Sequence, residues 1–583
     1  MAGIGRSEGS FNLSRWAIEH AGLTRFLLGI VILAGAFSLM NIGQKEDPDF
    51  TFRDMIVQVV WPGAATSEMQ DQVVNPIERK LQEVPHLDFV RSFTRAGSAI
   101  ITIQIKGDTN GRDVADAFYQ VRKKVGDIAG NLPSGILGPY FNDEFGDTFI
   151  TLHAITGAGY AFPELKAVAT SARDLLLRVP GVEKVTILGD QPQRLYVDVS
   201  SQVLAARGIS PLDIQAALSG QNNMTPAGDV ETSARSVRVK VDGAVMQPDD
   251  LANLRLRLGG NIVRLGDIAT VTRGLEDPVT RKYLFNGKDA VEMGVVMGPG
   301  FNVTTVGAAV HKVIDEFKQT LPAGLDIAQI SDQPAVVADA IREFAEALIE
   351  ALAIVLGVSF VSIGWRAGLV VAITIPLVLA ATFAIMFELG IDLQRISLGA
   401  LIIALGLLVD DAMIAVEMME RKLQEGWGRL AAASFAYRSA AFPMLTGTLV
   451  TTAGFIPVGF AASTAGEYVR SLFYVVGISL LVSWFAAVYF TPWLGHMLLK
   501  ERRQADGGHR EVYDTPFYRR LRAVVSWSVG HRRLVLVATL LAFVASIGAF
   551  AFIPQNFFPQ STRPEILADL WLPEGTSTAE VER

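Results

Sequence analysis

The sequence predicts a polytopic α-helical membrane bundle carrying a large external α+β domain, and three observations predict it. Half of the 583 residues are apolar and only 19% are charged, with a mean hydropathy of +0.33, more than a soluble core of this length absorbs. The apolar residues gather into runs of about 20, the length that crosses a hydrocarbon core. Residues 44–337, between the first two runs, have mixed polarity, with β-type runs alternating with helical spacing.

Composition also removes several classes of function. Acids outnumber bases 59 to 51, giving a net charge of −8 and no global basic excess for nucleic acid. The absence of cysteine excludes a disulfide framework, thiolate metal sites and a cysteine nucleophile. His and Glu show no metal-ligand spacing, and no phosphate-cradling loop appears, so neither a metal cofactor nor ATP is expected.

In chain order, residues 1–25 form an N-terminal segment in which Phe11 to His20 has the pattern of a surface-lying amphipathic helix. Seven spans are expected, at 26–43, 344–364, 367–389, 396–418, 439–461, 471–497 and 533–553. Pro376, Pro443, Pro457 and Pro492 fall inside these runs, which membrane helices tolerate because neighbours re-satisfy the freed backbone groups. The second to sixth spans make a bundle over 338–497, and 498–532 is a linker with an interfacial helix before the seventh span.

Orientation follows from lysine and arginine in the short connections. One side holds Arg6, Arg15 and Arg25 in the tail, Arg366, four from Arg421 to Arg438 and nine from Lys500 to Arg533; the other offers Arg395 and Arg470. The N-terminus is therefore cytoplasmic, and 44–337 and 554–583 lie outside. The first run lacks a small-residue cleavage site and leads into Gln44-Lys45-Glu46-Asp47, as an uncleaved anchor does.

In the external domain, Thr51 to Trp61, Ser98 to Lys106 and Arg194 to Val199 are predicted strands, whereas Ser67 to Val84, Arg112 to Ile128 and Pro163 to Val179 have helical spacing. The alternation suggests split βαβ (ferredoxin-like) modules. Two echoes suggest duplication: Val84-Pro85-His86-Leu87 with Val179-Pro180-Gly181-Val182, and Leu132-Pro133-Ser134-Gly135 with Leu321-Pro322-Ala323-Gly324. Proline just past a helix is also a generic stop signal.

A longer repeat has an offset of 511 residues: His20, Pro48 and Pro62 map onto His531, Pro559 and Pro573, and the first span maps onto the seventh. It sets Trp61-Pro62-Gly63-Ala64-Ala65-Thr66-Ser67-Glu68 beside Leu572-Pro573-Glu574-Gly575-Thr576-Ser577-Thr578-Ala579. Transporters duplicate whole bundles in this way, so the chain reads as truncated inside a second repeat, with seven of an expected twelve spans.

The fourth span contains Asp410 and Asp411 near its middle. A carboxylate at that depth costs about 2.5 to 3.5 kcal/mol on insertion scales, so ionisable residues there default to an ion or proton pathway. Low dielectric favours the protonated form of a carboxylate and a nearby cation the ionised form, and that competition makes a proton switch. An intramembrane aspartyl protease also needs two acids, but face to face across a peptide bond; neighbours on one helix diverge by about 100°. No lysine or arginine occupies the interior of any other span, so the counter-charge is expected outside this chain, near the repeat mate of this helix.

Asp339, Glu343, Glu346 and Glu350 form an acidic stripe entering the second span, and Glu350 alone is deep enough to serve as a secondary proton-path candidate. Tyr140, Phe141, Phe145 and Phe149 are candidates to line an apolar substrate cleft, although clustered aromatics also serve as core. Ala400, Ala404 and Gly406 permit close helix packing beside the acids.

With these residues in view, the sequence resembles the resistance-nodulation-division efflux pumps, in particular the hydrophobe and amphiphile exporting branch of Gram-negative bacteria. The resemblance rests on Gly406-Leu407-Leu408-Val409-Asp410-Asp411-Ala412 with Val416-Glu417 and Glu420-Arg421, on Trp61-Pro62-Gly63-Ala64, on Asn75-Pro76-Ile77-Glu78 and on Arg264-Leu265-Gly266-Asp267-Ile268-Ala269. It implies a homotrimer in the inner membrane, with a periplasmic porter and docking region over 44–337. That assembly exchanges protons for hydrophobic or amphiphilic compounds such as drugs, and it joins a periplasmic adaptor and an outer-membrane channel. It needs no cofactor beyond the proton motive force and is not an enzyme. Asp410 and Asp411 match the proton-relay acids of the family. Heavy-metal exporters of the superfamily carry Asp-Gly-Ala where this chain has Asp410-Asp411-Ala412, which makes metal export the runner-up. A protein-translocation or assembly factor of the same superfamily is a further alternative. Met418 departs from the asparagine common in the family after the glutamate.

Overall fold

The computed structural model describes residues 11–221, 226–231, 235–240, 247–258, 261–279, 281–362, 364–501, 516–553, 566–573 and 575–583. Sequence expectations on Arg6, Arg502, Arg503, Arg510, Pro559 and Glu574 lie outside the described residues.

The chain begins with α1 (Leu13–Glu19) and α2 (Ala21–Asn41), then β1 (Asp54–Val60), α3 (Thr66–Met69), a π turn, α4 (Asn75–Leu81), β2 (Leu87–Arg95), β3 (Ser98–Ile105), α5 (Gly111–Ile128) and β4 (Leu137–Asn142). It continues with β5 (Phe149–Gly157), α6 (Phe162–Leu176), β6 (Val182–Leu188), β7 (Gln193–Val199), α7 (Ser201–Arg207), α8 (Pro211–Gln221), β8 (Pro226–Glu231), β9 (Ser236–Lys240) and α9 (Pro248–Ala252). Then come β10 (Arg255–Leu258), β11 (Asn261–Arg264), β12 (Ala269–Leu275), β13 (Leu284–Phe285), β14 (Lys288–Met297), α10 (Val303–Lys318) and β15 (Leu325–Asp332). The helical part is α11 (Gln333–Ser362), α12 (Trp365–Glu388), α13 (Arg395–Gln424), α14 (Arg429–Gly454), α15 (Ile456–Gly459), α16 (Thr464–Leu498), α17 (Pro516–Gly530), α18 (Arg532–Phe550) and α19 (Thr578–Glu582).

The chain divides into two compact units, residues 1–139 with 338–567, and residues 140–337 with 568–583. Because α11 is continuous across 337 and 338, the expected boundary there falls inside one helix.

Among the described residues six helices are long and apolar enough to cross a membrane: α2, α11 to Val361, α12, α13, α16 and α18. The expected span over 439–461 is found as α14, which ends at Gly454 and is followed by the single turn α15. It stands outside that set because α14 is rich in alanine, serine, threonine and glycine rather than leucine and isoleucine. In the first unit α13 and α16 pack along one another, α12 packs on α2 and α16, and α14 packs on α13 and α16. Leu401, Ala404, Leu405 and Leu408 of α13 meet a core that includes Val475, Val476 and Leu480 of α16. A Cβ on Gly35 would sit 2.5 Å from Ala380, so glycine lets α2 approach α12 closely.

The same unit contains a four-stranded sheet in the order β2-β3-β1-β4. Alternation buries Met55, Val57 and Val59 of β1 and Ala99, Ile101, Ile103 and Ile105 of β3. Helix α5 starts at an Asn110 cap that accepts from Arg112 N and Asp113 N, and it buries Val114, Ala117, Phe118, Val121 and Val125 at helical spacing. Each such buried Val or Phe contributes about 1.5–3 kcal/mol relative to exposure.

The second unit has a sheet in the order β6-β14-β5-β15, with β13 also paired to β14, and α6 and α10 pack on it and on each other. Between β6 and β14 lie the pair β7-β12, the hairpins β8-β9 and β10-β11, and a small core that includes Leu204, Ile214, Leu256 and Leu265.

With the two-residue β13 left aside, both sheets counted in chain order run second, third, first, fourth, with helix after the first and third strands. The sequence echoes fall at equivalent points of this pattern. His86 (φ 59°) and Gly181 (φ 94°) turn the chain into β2 and β6, and Gly135 (φ 87°) and Gly324 (φ 96°) into β4 and β15. Glycine takes the left-handed region freely, whereas a histidine there is uncommon.

The 511-residue offset also has a structural counterpart. Helix α2 starts at Ala21 after His20 (φ −106°, ψ 44°) and α18 at Arg532 after His531 (φ −106°, ψ 36°). Trp16 stacks on His20 with centroids 4.7 Å apart, and Trp527 on His531 at 4.9 Å. In both, the histidine Nδ1 lies 3.0 Å from the tryptophan carbonyl oxygen.

Candidate functional site

Helix α13 is fixed at its start by Gln394, whose side-chain oxygen accepts from Ile396 N and Ser397 N, and it continues unbroken through Asp410 and Asp411. Adjacent residues on a helix point about 100° apart, and the two acids accordingly meet different surroundings. Asp411 is 9% exposed and turned into the bundle, whereas Asp410 is exposed to a cleft. Ser483 of α16 donates to the Leu408 carbonyl, 3.0 Å away, and stands beside the Asp411 carboxylate.

The cleft, about 450 Å³, is lined by both acids with Leu407, Ile414 and Met418 of α13, by one face of α14 and by Leu480 of α16. The α14 face consists of Ser439, Ala440, Pro443, Met444, Gly447, Thr448 and Thr451. These recur at three- and four-residue spacing, which is one side of a helix. Pro443 has no N–H, so the Ser439 carbonyl four residues earlier receives no helical hydrogen bond from that position. Thr448 Oγ1 donates to Met444 O at 2.9 Å and Ser439 Oγ to Phe435 O at 2.8 Å, which leaves hydroxyl lone pairs to accept. The cleft is thus apolar in bulk, with two carboxyl groups and the hydroxyl residues Ser439, Thr448 and Thr451 among its lining. Its lining residues include no lysine or arginine.

The other sequence candidates stand elsewhere. Glu350 is exposed on α11 and does not line the cleft. Phe141 is on β4, Phe145 in the following loop and Phe149 on β5, each half-buried. The Phe149 ring covers Gly294 of β14, where any Cβ would meet it at 2.5 Å, so this residue packs the sheet. Lys184 of β6 pins the loop bearing Phe145 through Glu144 at 2.8 Å and Asp147 at 3.0 Å. Sequence reasoning missed Ser483, Ser439, Thr448 and Thr451. Their available signal was hydroxyl residues on one face of a helix already interrupted by Pro443.

Long apolar helices, an acid pair within one of them and an extensive α+β portion define a multi-span membrane protein. A family model described as the AcrB/AcrD/AcrF family matches residues 13–583. The chain belongs to that family, among the resistance-nodulation-division transporters. Multidrug resistance protein MdtC of Klebsiella pneumoniae (strain 342) is 28% identical over 542 residues, 91% of this chain and 52% of that protein. MdtC of Escherichia coli (strain K12) is 28% identical over 549 residues, 92% of this chain and 53% of that protein. The chain spans about half the length of the curated relatives it matches.

Proposed function

We propose that this chain supplies the proton-handling half of an inner-membrane exporter of hydrophobic or amphiphilic compounds, with Asp410 and Asp411 as the proton-relay residues. The observation that carries the reading is the unlike setting of two neighbouring carboxyl groups on α13 that both line the cleft, Asp410 exposed in it and Asp411 buried beside Ser483 of α16. A proton reaching Asp410 through the cleft neutralises a charge that is costly inside a bilayer. Transfer to Asp411 then removes charge from a helix interface, where an unpaired carboxylate is far less tolerable than a carboxylic acid. Hydroxyl groups at Ser483, Thr448 and Ser439 both donate and accept, so they follow either protonation state.

Membership of the family and the multidrug resistance named for the MdtC relatives support drugs and similar amphiphiles as the exported class. The complete protein has α14 as a further span, placing seven spans in this chain, and residues 44–337 on the periplasmic side as the porter and docking region. The equal strand orders of the two sheets support a pair of split βαβ (ferredoxin-like) modules there. A homotrimer joined to a periplasmic adaptor and an outer-membrane channel, a counter-charge to the acid pair from outside these 583 residues, and an apolar path past Phe141, Phe145 and Phe149 complete the proposal. Glu350, exposed midway along α11, is a secondary proton-path residue.

Replacing Asp410 with Asn in the full-length protein tests the reading. Export of an amphiphilic dye from cells is expected to stop while the protein level in the membrane is unchanged. Undiminished export contradicts the relay.

A further inference from the structure

Within the first unit, the segment Gly43–Arg53 joins α2 to β1 and is bound along its length to the starts of two other helices. At α13, Lys45 N donates to Leu393 O (3.0 Å), Leu393 N donates to Gly43 O (2.8 Å), and Arg395 pairs through Nη2 with Glu46 Oε1 (3.0 Å). Glu46 is 5% exposed. Lys45 also pairs with Asp392 at 3.1 Å, and a Cβ on Gly43 would displace the carboxylate of that aspartate.

At α16, Glu467 in the first helical turn accepts from Thr51 N at 2.9 Å and from Arg53 Nη2 at 2.6 Å. Arg53 Nη1 donates to Thr464 Oγ1 at 3.0 Å, and the Tyr468 hydroxyl donates to Asp47 Oδ1 at 2.7 Å. Arg53 is 4% exposed and is equally committed to the sheet. Its Nη2 donates to Thr109 O at 2.7 Å, its carbonyl accepts from Ile105 N at 2.9 Å, and β1 begins at the next residue. The two helices are joined to each other at the same level by Gln394 Nε2 donating to Ser471 Oγ at 2.8 Å.

We propose that Gly43–Arg53 is a coupling strap, with Arg53 and Glu467 as its principal positioning residues, which delivers displacement of α13 and α16 to the sheet β2-β3-β1-β4. The inference rests on the relay assigned to Asp410 and Asp411. Those acids lie about 22 Å along α13 from Arg395, at 1.5 Å per residue, and Ser483 beside Asp411 belongs to the helix that Glu467 begins. A helix transmits axial motion because its backbone ladder is stiff. Buried multidentate arginine contacts keep their geometry where a single exposed pair would not. Protonation in the cleft therefore reaches β1 through two helices gripped by the same eleven-residue segment.

The test is the full-length protein in proteoliposomes under an imposed proton gradient, measuring proton influx and export of an amphiphilic dye together. Arg53→Met is expected to retain gradient-driven proton influx while dye exported per proton falls roughly three- to thirtyfold, the range over which residues between coupled sites act. Arg53→Lys and Tyr468→Phe, which keep more of the packing, are expected to move the same ratio by a smaller factor and serve where Arg53→Met does not accumulate. An unchanged ratio in all three variants, or parallel loss of influx and export in all three, overturns the strap. Failure of the relay reading has a different signature: Asp410→Asn would keep its influx, whatever the strap variants do.

Discussion

Helices α13 and α16 meet at two levels built in contrasting ways. At their starts they are locked by Gln394 to Ser471, Arg395 to Glu46 and Arg53 to Glu467, each contact partly or wholly buried. Further along, Asp410 and Asp411 face an open cleft and hydroxyl groups, all of which serve either protonation state. The difference teaches where movement is permitted. A fixed cation favours the ionised form of the carboxyl group it holds, whereas hydroxyl groups can hydrogen-bond a carboxyl group in either form. On the proposed relay, a bundle with a firm end and an adaptable middle is what would turn a proton into a displacement with a defined direction.

The largest expected effect erases the adaptable level. Asp411→Asn is expected to reduce export by about 100-fold or more, the scale on which a positioned proton-transfer group contributes. Dye efflux from cells, set against membrane protein level, measures it; residual export above a tenth of wild type would equate the two acids with ordinary polar lining.

Next comes the firm level. Arg53→Met leaves Glu467 without its principal partner and is expected to lower stability by about 3–5 kcal/mol, the cost of breaking a buried pair from one side. Thermal unfolding of the detergent-solubilised protein checks this, and a loss below about 1 kcal/mol, typical of a surface pair, removes the distinction between the two levels.

A buried titratable group in the second unit sharpens the contrast from outside the bundle. His153 of β5 is 2% exposed, its Nε2 has no hydrogen-bond partner, and burial, aided by nearby His311, pushes its pKa from 6.5 down to about 4. The unfolded chain takes up this proton first, so the stabilisation is complete above about pH 6.5 and is lost as pH falls towards 4, with a slope of up to about 1.4 kcal/mol per unit. Hydrogen exchange of the β5 amides, corrected for intrinsic rates, is expected to accelerate over that window and to lose the acceleration in His153→Phe.

The smallest effect is expected from Ser483→Ala. Losing one hydroxyl beside Asp411 costs about 0.5–1.5 kcal/mol, or two- to tenfold in the pH-dependent step. It should appear as a shifted pH profile of export at unchanged protein level; an unshifted profile removes Ser483 from the path.

Much of this was legible in the sequence where the signal is local. The strands at Asp54–Val60 and Ser98–Ile105, the helix Gly111–Ile128 and the acids inside an apolar run follow from period and composition. The repeat of His20 at His531 was legible as well, whereas the stacking of Trp16 and Trp527 on those histidines came only from the structure. Docking was not legible, because it depends on partners distant in the chain. Ser14 of α1 donates to Val488 O at 2.6 Å, while α17, the sequence counterpart of α1, buries none of its described residues. The strap was hidden for the same reason: Arg53 and Glu467 are 414 residues apart, and nothing in either neighbourhood names the other. Among the aromatic candidates, Phe149 obeys the core tendency of clustered rings by covering Gly294.

The most direct measurement is infrared difference spectroscopy of the full-length protein in lipid, stepped between neutral and acid pH and repeated with Asp410→Asn and Asp411→Asn. The account predicts a protonated-carboxyl band that grows on acidification in the wild type and is diminished or displaced in each variant, together with loss of export. A wild-type carboxyl spectrum that neither substitution alters, with export intact, would contradict it.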